Sequence, residues 1–229
     1  GPADQGQHIT LRYQVTRKEK RAHREAGDPK VHLRAERLVP LNARFITIAS
    51  AATAKVKAKD NHARAQALYR HVLDHMRYSK AGKGWGRGDA LYACDARTGN
   101  CTDFHAYFIA LCRAINIPAR FAIGFTIPAD KNAGAIGGYH CWAEFHANGK
   151  WVPVDISEAD KHPELADYYF GHHPANRLEL SRGRDITVKP APKAGPFNYF
   201  FGPHLEVNGK EVPVKATFEF KRLPARSKQ

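Results

Sequence analysis

Three residues in this chain have the types and settings that thiol chemistry requires: Cys101, His140 and Asp155. A cysteine attacks a carbonyl through its thiolate, so its surroundings must lower its pKa. The N-terminus of a helix does this, because unpaired N–H groups and the macrodipole favour negative charge there. In the run TGNCTDFHAYFIALCRAINIP, Asn100 suits the N-cap, Cys101 the first helical position and Asp103 the N3 position, where it returns a capping bond. The same N–H groups suit an oxyanion formed by attack on a carbonyl. The other cysteines lack this setting. Cys112 lies on the apolar stripe of the same helix, Cys141 shares a strand face with Tyr139, Ala143 and Phe145, and Cys94 falls in a loop.

The base and its orienter come from a hairpin. Tyr139 to His146 and Trp151 to Ile156 read as strands, and Ala147-Asn148-Gly149-Lys150 joins them with the strongest two-residue turn signal. With Ala147 opposite Lys150, Trp142 faces Asp155 and His140 lies two residues along on the same face. Diagonal neighbours are ~7–8 Å apart, within reach of an imidazole–carboxylate hydrogen bond. Such a carboxylate fixes the tautomer of a general base and supports a thiolate–imidazolium pair, with Trp142 as a shield from water. A bulge in either strand would break the register. His105, four residues after Cys101, is the rival base; it is expected on the polar side of its helix without an orienting partner.

The elements that position these residues follow from periodicity. Residues 1–40 form a basic extension punctuated by Pro and Gly, in which Ile9 to Val15 alternates as a strand and Arg17 to Arg24 is charged throughout. Residues 41–229 are then the catalytic domain. Arg44 to Ala58 is expected to be helical. A second helix follows Asp60, a good N-cap, with Ala65, Leu68, Tyr69, Val72, Leu73 and Met76 on one stripe. Ser79 to Gly99 contains GKGWGRGD, lacks the G-K-[ST] ending of a P-loop, and reads as a mobile surface loop rather than a phosphate cradle. After Pro118 the period changes to two, through Phe121, Ile123, Phe125 and Ile127. A second Asn-Gly, Asn208-Gly209, precedes another alternating run, Val212 to Phe220. Helices first and strands later imply an α+β fold with a largely antiparallel sheet.

Composition narrows the classes. With 43% hydrophobic residues the chain can bury a sizeable core, and no apolar run approaches the ~20 residues needed to span a bilayer. Lysine and arginine total 36 against 22 acidic residues, a net charge of +14. That balance suits a polyanion partner, but equally a solubilising surface, and it predicts no specific nucleic acid. Four scattered cysteines do not make a disulfide scaffold. No pair has C-x-x-C spacing and His172-His173 stands alone, so neither a metal site nor a cofactor is implied. Gly1 to Gln7 show no signal-peptide pattern; the Gly-Pro start reads as a processed or recombinant chain.

Three stretches together resemble the transglutaminase-like (transglutaminase core) family: GNCTDFHAYFIALCRAINIPARFAIGF, GYHCWAEF and GKWVPVDISEA, in the order Cys, His, Asp and over roughly residues 60 to 160. GWGRGDALYACD, YYFGHHPANR and NYFFGP are similar to segments of bacterial members whose substrates are poorly defined. The resemblance implies a papain-like α+β fold in which Cys101 is a nucleophile heading a central helix, His140 the general base and acid, and Asp155 the orienting acid. It also implies amide-bond chemistry on a peptide or protein through a thioester. An upstream side chain completes the oxyanion hole in this family; Trp85 is the candidate, with Asn100 competing. Hydrolysis, as in a cysteine protease or amidase, is favoured over amine transfer as in a transglutaminase, since no calcium loop or acceptor-binding domain is recognisable. A non-catalytic polyanion-binding module is the other alternative. Exported relatives favour the bacterial periplasm or cell envelope over the cytoplasm.

Overall fold

Asn42 starts the helical half of the chain by accepting the Arg44 N–H at 2.8 Å, and α1 (Ala43–Ala52) follows. The helix expected to reach Ala58 stops at Ala52, where Thr53 turns its hydroxyl back onto the Ala49 carbonyl at 2.8 Å. The structure, a computed structural model, describes residues 8–224. Gly1 to Gln7 and the basic tail positions Arg226 and Lys228 lie outside the described residues. Asp60 caps α2 (Asn61–His75) through the Ala63 N–H at 2.9 Å, and the expected stripe of Ala65, Leu68, Tyr69 and Val72 is buried. Short strands β1 (Arg77–Tyr78) and β2 (Thr98–Gly99) pair in parallel on either side of α3 (Ala90–Ala96). That helix lies inside the segment expected to be a loop. Asp89 nucleates it by accepting the Leu91 and Tyr92 N–H groups, and seven residues are too few to show a helical period.

The central element is α4 (Cys101–Ala114), in which every residue from Cys101 to Arg113 is buried. It packs against the other helices on one side and on the other against an antiparallel four-stranded sheet, ordered β6-β5-β3-β7. Strand β3 spans Ala119–Thr126, β5 Tyr139–Ala147, β6 Lys150–Val154 and β7 Arg177–Arg182. A short β4 (Ala133–Ala135) pairs outside this sheet with β10 (Glu219–Lys221), and β8 (Glu206–Val207) pairs with β9 (Lys210–Glu211) around Asn208-Gly209. Helices α5 (Ile156–Lys161) and α6 (Ala166–Tyr169) follow β6. The class is α+β, with Phe104, Phe108, Phe121 and Phe145 filling the layer between α4 and the sheet.

Between Ile123 and Gly124 the β3–β7 register shifts. A Cβ on Gly124 would lie 1.8 Å from the Leu178 carbonyl oxygen, so only glycine lets β7 approach β3 there. Two other expected strands fail for one reason: alternation needs an adjacent edge and a face to bury. Ile9 to Val15 is not a strand, and Ile9 and Leu11 are 89% and 71% exposed. The run from Val212 likewise pairs only at its far end, in β10.

The basic N-terminal segment meets the sheet further along. Lys20 exchanges two backbone hydrogen bonds with His173, at 2.9 Å each, and His23 does so with Trp151. Several of its cations are taken by carboxylates: Lys20 by Glu144 and Glu179, Arg21 by Glu19, Arg37 by Asp185.

Candidate functional site

Cys101 is the first residue of α4, with Asn100 as N-cap. Asn100 Oδ1 accepts the Thr102 N–H at 2.9 Å and the Thr102 hydroxyl at 2.5 Å. Asp103 accepts the Asn100 N–H at 2.9 Å, completing the capping box. The same carboxylate takes the N–H groups of Gly86 at 2.7 Å and Gly88 at 2.9 Å. The glycine-rich loop is therefore a cradle for a carboxylate of its own chain. Burial pushes the Asp103 carboxyl up, against the pull of these three donors. The loop is tied down and not mobile at these points, and it brings Trp85, half-buried between Gly84 and Gly86, beside the mouth of α4.

The hairpin has the expected register, with Ala147 opposite Lys150 and Ala143 opposite Val154. The ladder ends at Val154, so Asp155 leaves the strand and becomes the N-cap of α5. This turn brings its carboxylate to His140, whose Nε2 lies 2.6 Å from Asp155 Oδ2. Asp155 Oδ1 accepts the Ser157 hydroxyl and the Glu158 N–H, each at 3.1 Å, and Oδ2 also takes Arg177 Nη2 at 3.1 Å. With Nε2 committed to Asp155, Nδ1 is the ring nitrogen left for sulfur. The Cys101 thiol lies against both the His140 ring and the Cys141 thiol. Cys101, His140 and Asp155 are 3%, 8% and 0% exposed, so the group is almost closed to solvent. Trp142, 1% exposed, lies with its ring centroid 6.1 Å from that of His140.

The electrostatics divide the two touching thiols. The hydrogen bond from Cys141 holds Cys101 well below the ordinary thiol range despite burial, with His140 adding to the effect. Burial and the neighbouring Cys101 push Cys141 up, so Cys141 keeps its proton and donates it. Burial alone would lower His140, but the Asp155 charge and hydrogen bond, followed by Cys101, raise it to about 9. Burial opposes ionisation of Asp155, yet His140 and Arg177 hold it well below the usual carboxylate range. The arrangement favours a thiolate beside an imidazolium backed by an ionised carboxylate.

His105 is not on a polar face. It is fully buried, with Nδ1 2.7 Å from the Cys101 carbonyl oxygen and Nε2 accepting the Ile156 N–H at 3.0 Å. An acceptor at Nε2 requires the proton at Nδ1, so the ring is neutral, as its burial favours. Its 3.9 Å approach to Asp155 Oδ1 is therefore no ion pair. Both nitrogens are occupied, Nδ1 within α4 and Nε2 in tying α4 to α5, and the ring is not free to act as a base.

Asn100 directs one amide N–H to the Tyr139 hydroxyl at 3.0 Å. The Tyr139 ring sits 4.9 Å from Phe201 and 6.0 Å from Tyr199, whose hydroxyl donates to the Gly86 carbonyl at 3.0 Å. Among the described residues, the Cys101 N–H has no acceptor. Sequence reasoning missed Arg177, Cys141 and Tyr139 as parts of this site. Arg177 sits in an aperiodic segment, and strand alternation gives no sign that Cys141 touches Cys101. Among the described residues, no group of three or more His, Cys, Asp or Glu is arranged to hold a metal ion, and no helix is long and apolar enough to cross a membrane.

Comparison with known proteins places this geometry. An uncharacterized protein of Haemophilus influenzae is 30% identical over 191 residues, which cover 69% of this chain and 52% of that protein. A solved structure from Cytophaga hutchinsonii, described provisionally as a cysteine protease, superposes with a TM-score of 0.50 at 20% identity, covering 69% of this chain and 48% of its own. This chain thus spans about half the length of either relative. Residues 47–156 match the profile of the transglutaminase-like superfamily, a stretch that runs from α1 through Cys101 and His140 to the start of α5. By that match residues 47–156 are a transglutaminase-like core, and the fold around them is similar to that of the Cytophaga structure.

Proposed function

We propose that this chain is a thiol enzyme acting on amide bonds of peptide or protein substrates, with Cys101 as nucleophile, His140 as general base and acid, and Asp155 as the orienting acid. The observation that carries the reading is the position of His140, whose ring lies between the Cys101 sulfur and the Asp155 carboxylate. The thiolate attacks the substrate carbonyl carbon, and the oxyanion is met by the Cys101 N–H at the mouth of α4 and by a side-chain donor, Trp85 or Asn100. His140 Nδ1–H then protonates the departing amine, leaving a thioester on Cys101. Water, deprotonated at Nδ1, attacks the thioester and releases the acid and the thiolate. Asp155 stays ionised throughout and holds the ring in place.

Hydrolysis is favoured over amine transfer because water needs no dedicated acceptor site. The test is to trap the acyl-enzyme by acid quench with an activated acyl ester, then let water and a lysine-like amine compete for it. Acylation confined to Cys101 and lost in Cys101→Ala supports the reading. A strong preference for the amine would make the chain a transglutaminase, and no acylation would leave a binding module. The basic surface is read as solubilising rather than as a polyanion site, since Lys20, Arg21 and Arg37 are already paired. The proposed location is the bacterial periplasm or cell envelope, checked by fractionation.

A further inference from the structure

Arg177 is a charged side chain buried at 2% exposure beside the site, and the chemistry described above gives it no role. Its backbone is fixed at the start of β7, where it pairs with Thr126 and its carbonyl accepts Arg17 Nε at 2.7 Å. Its Nη1 donates to Thr126 Oγ1 at 2.7 Å and its Nη2 to Asp155 Oδ2 at 3.1 Å. Among the described residues its Nε–H has no acceptor, so the side-chain donors are directed at those two oxygens. Asp155 Oδ2 is the same oxygen that His140 Nε2 approaches at 2.6 Å. Removing a guanidinium from water is costly, and a carboxylate already holding an imidazole has no need of it for neutralisation alone.

The geometry points to Arg177 as a positioning residue for this site: by sharing the Asp155 oxygen that His140 uses, it fixes the carboxylate in the plane of the imidazole and limits how strongly that carboxylate retains the imidazolium proton. The inference rests on the proposed roles of His140 and Asp155. Without Arg177 the whole carboxylate charge would act on His140, and the ring would hold its proton to higher pH, too long for release as a base. Other groups facing the pair do not replace this control. His105, from α4, is neutral because both its nitrogens are engaged, and burial keeps His173 neutral as well. Burial pushes Tyr69 of α2 and Tyr169 of α6 up, away from neutral pH. On α5, Glu158 and Lys161 bind each other at 2.8 Å, and Glu158 stands 3.8 Å from Arg177 Nη2. Cys101 and Cys141 face the ring from the other side. Arg177 is the cation in direct contact with the oxygen that orients His140.

The test is an NMR titration of the His140 ring in the wild-type chain and in Arg177→Gln, Arg177→Lys and Thr126→Val. Arg177→Gln keeps a donor for Asp155 but removes the charge, and the His140 midpoint should rise by about one pH unit. Arg177→Lys restores the charge and should return the midpoint to within a few tenths of a unit of wild type. Thr126→Val keeps every charge and removes one anchor, so it should fold even if Arg177→Gln does not, with a rise of a few tenths. A residue that merely supported the fold would lower stability without moving this midpoint. An unmoved or lowered midpoint in both Arg177→Gln and Thr126→Val overturns the proposal, and in Thr126→Val alone if the other does not fold. The titration needs no turnover, so a chain that fails to acylate Cys101 would sink the functional reading and leave this result standing.

Discussion

Replacing His140 with alanine separates the state of the Cys101 thiol from the integrity of the fold. Asp155 would keep Arg177, the Ser157 hydroxyl and the Glu158 N–H, so no buried charge is orphaned. The space left is lined by the Asp155 carboxylate at a residue 8% exposed, so water can occupy it. Cys101 would lose its adjacent imidazolium, leaving burial to oppose the Cys141 hydrogen bond. In the limit where these two cancel it returns to the ordinary thiol value of ~8.5, so that at pH ~6 only about 0.3% would be thiolate. Where the wild-type thiol is largely ionised, that is a loss of population on the order of 300-fold. The more basic thiolate is a better nucleophile, with a Brønsted slope of about 0.4–0.5, so the rate falls less, on the order of tenfold. The decisive signature is the slope. Between pH ~5 and ~8, iodoacetamide should label wild-type Cys101 at a nearly constant rate, and the variant about tenfold faster per pH unit. Peptide mapping would read Cys101 apart from Cys94, Cys112 and Cys141, all buried and free. A flat profile in a folded His140→Ala variant would refute the reasoning, because the low-pH thiolate would then owe nothing to the imidazole.

Two further outcomes test the scaffold. Gly124→Ala would set a Cβ 1.8 Å from the Leu178 carbonyl and force β7 away from β3; the expected loss of about 1–3 kcal/mol in urea unfolding is contradicted by a change under ~0.5 kcal/mol. Glu144 is fully buried, and although burial opposes it, Lys20 and Arg120 lower it from 4.5 to about 2. A depressed carboxylate stabilises the fold above its unfolded value and loses that contribution as pH falls through its folded value. The stability gap between wild type and Glu144→Gln should therefore shrink by about 3 kcal/mol from pH ~5 to ~2, and a constant gap would show that the ion cluster does not hold Glu144 ionised.

Much of the architecture was legible because its signals are local. An Asn-Gly turn between alternating runs fixes a hairpin register, and that register put His140 and Asp155 within reach of each other. A capping residue three positions before an acid marked the start of α4 at Cys101. What escaped depends on contacts between distant segments. Asp155 meets His140 by leaving its strand to cap α5, a departure that period-two reasoning does not contain. His105 looked exposed on a helical wheel, yet it is buried, with Nε2 taken by the Ile156 N–H of α5 and Nδ1 by the Cys101 carbonyl of its own helix. Arg177 is 22 residues from Asp155 in an aperiodic stretch, and it reaches the site from β7, where it pairs with Thr126 of β3. The strand expected over Ile9 to Val15 had the pattern but pairs with no strand among the described residues.

The most direct measurement is a thiolate-absorbance titration of the wild-type chain against Cys101→Ser, which isolates the signal of one sulfur. If His140 sustains the thiolate, this difference signal persists far below the ordinary thiol range and His140→Ala moves its onset upward. A difference signal that appears only near ~8.5 in both wild type and His140→Ala would contradict that role.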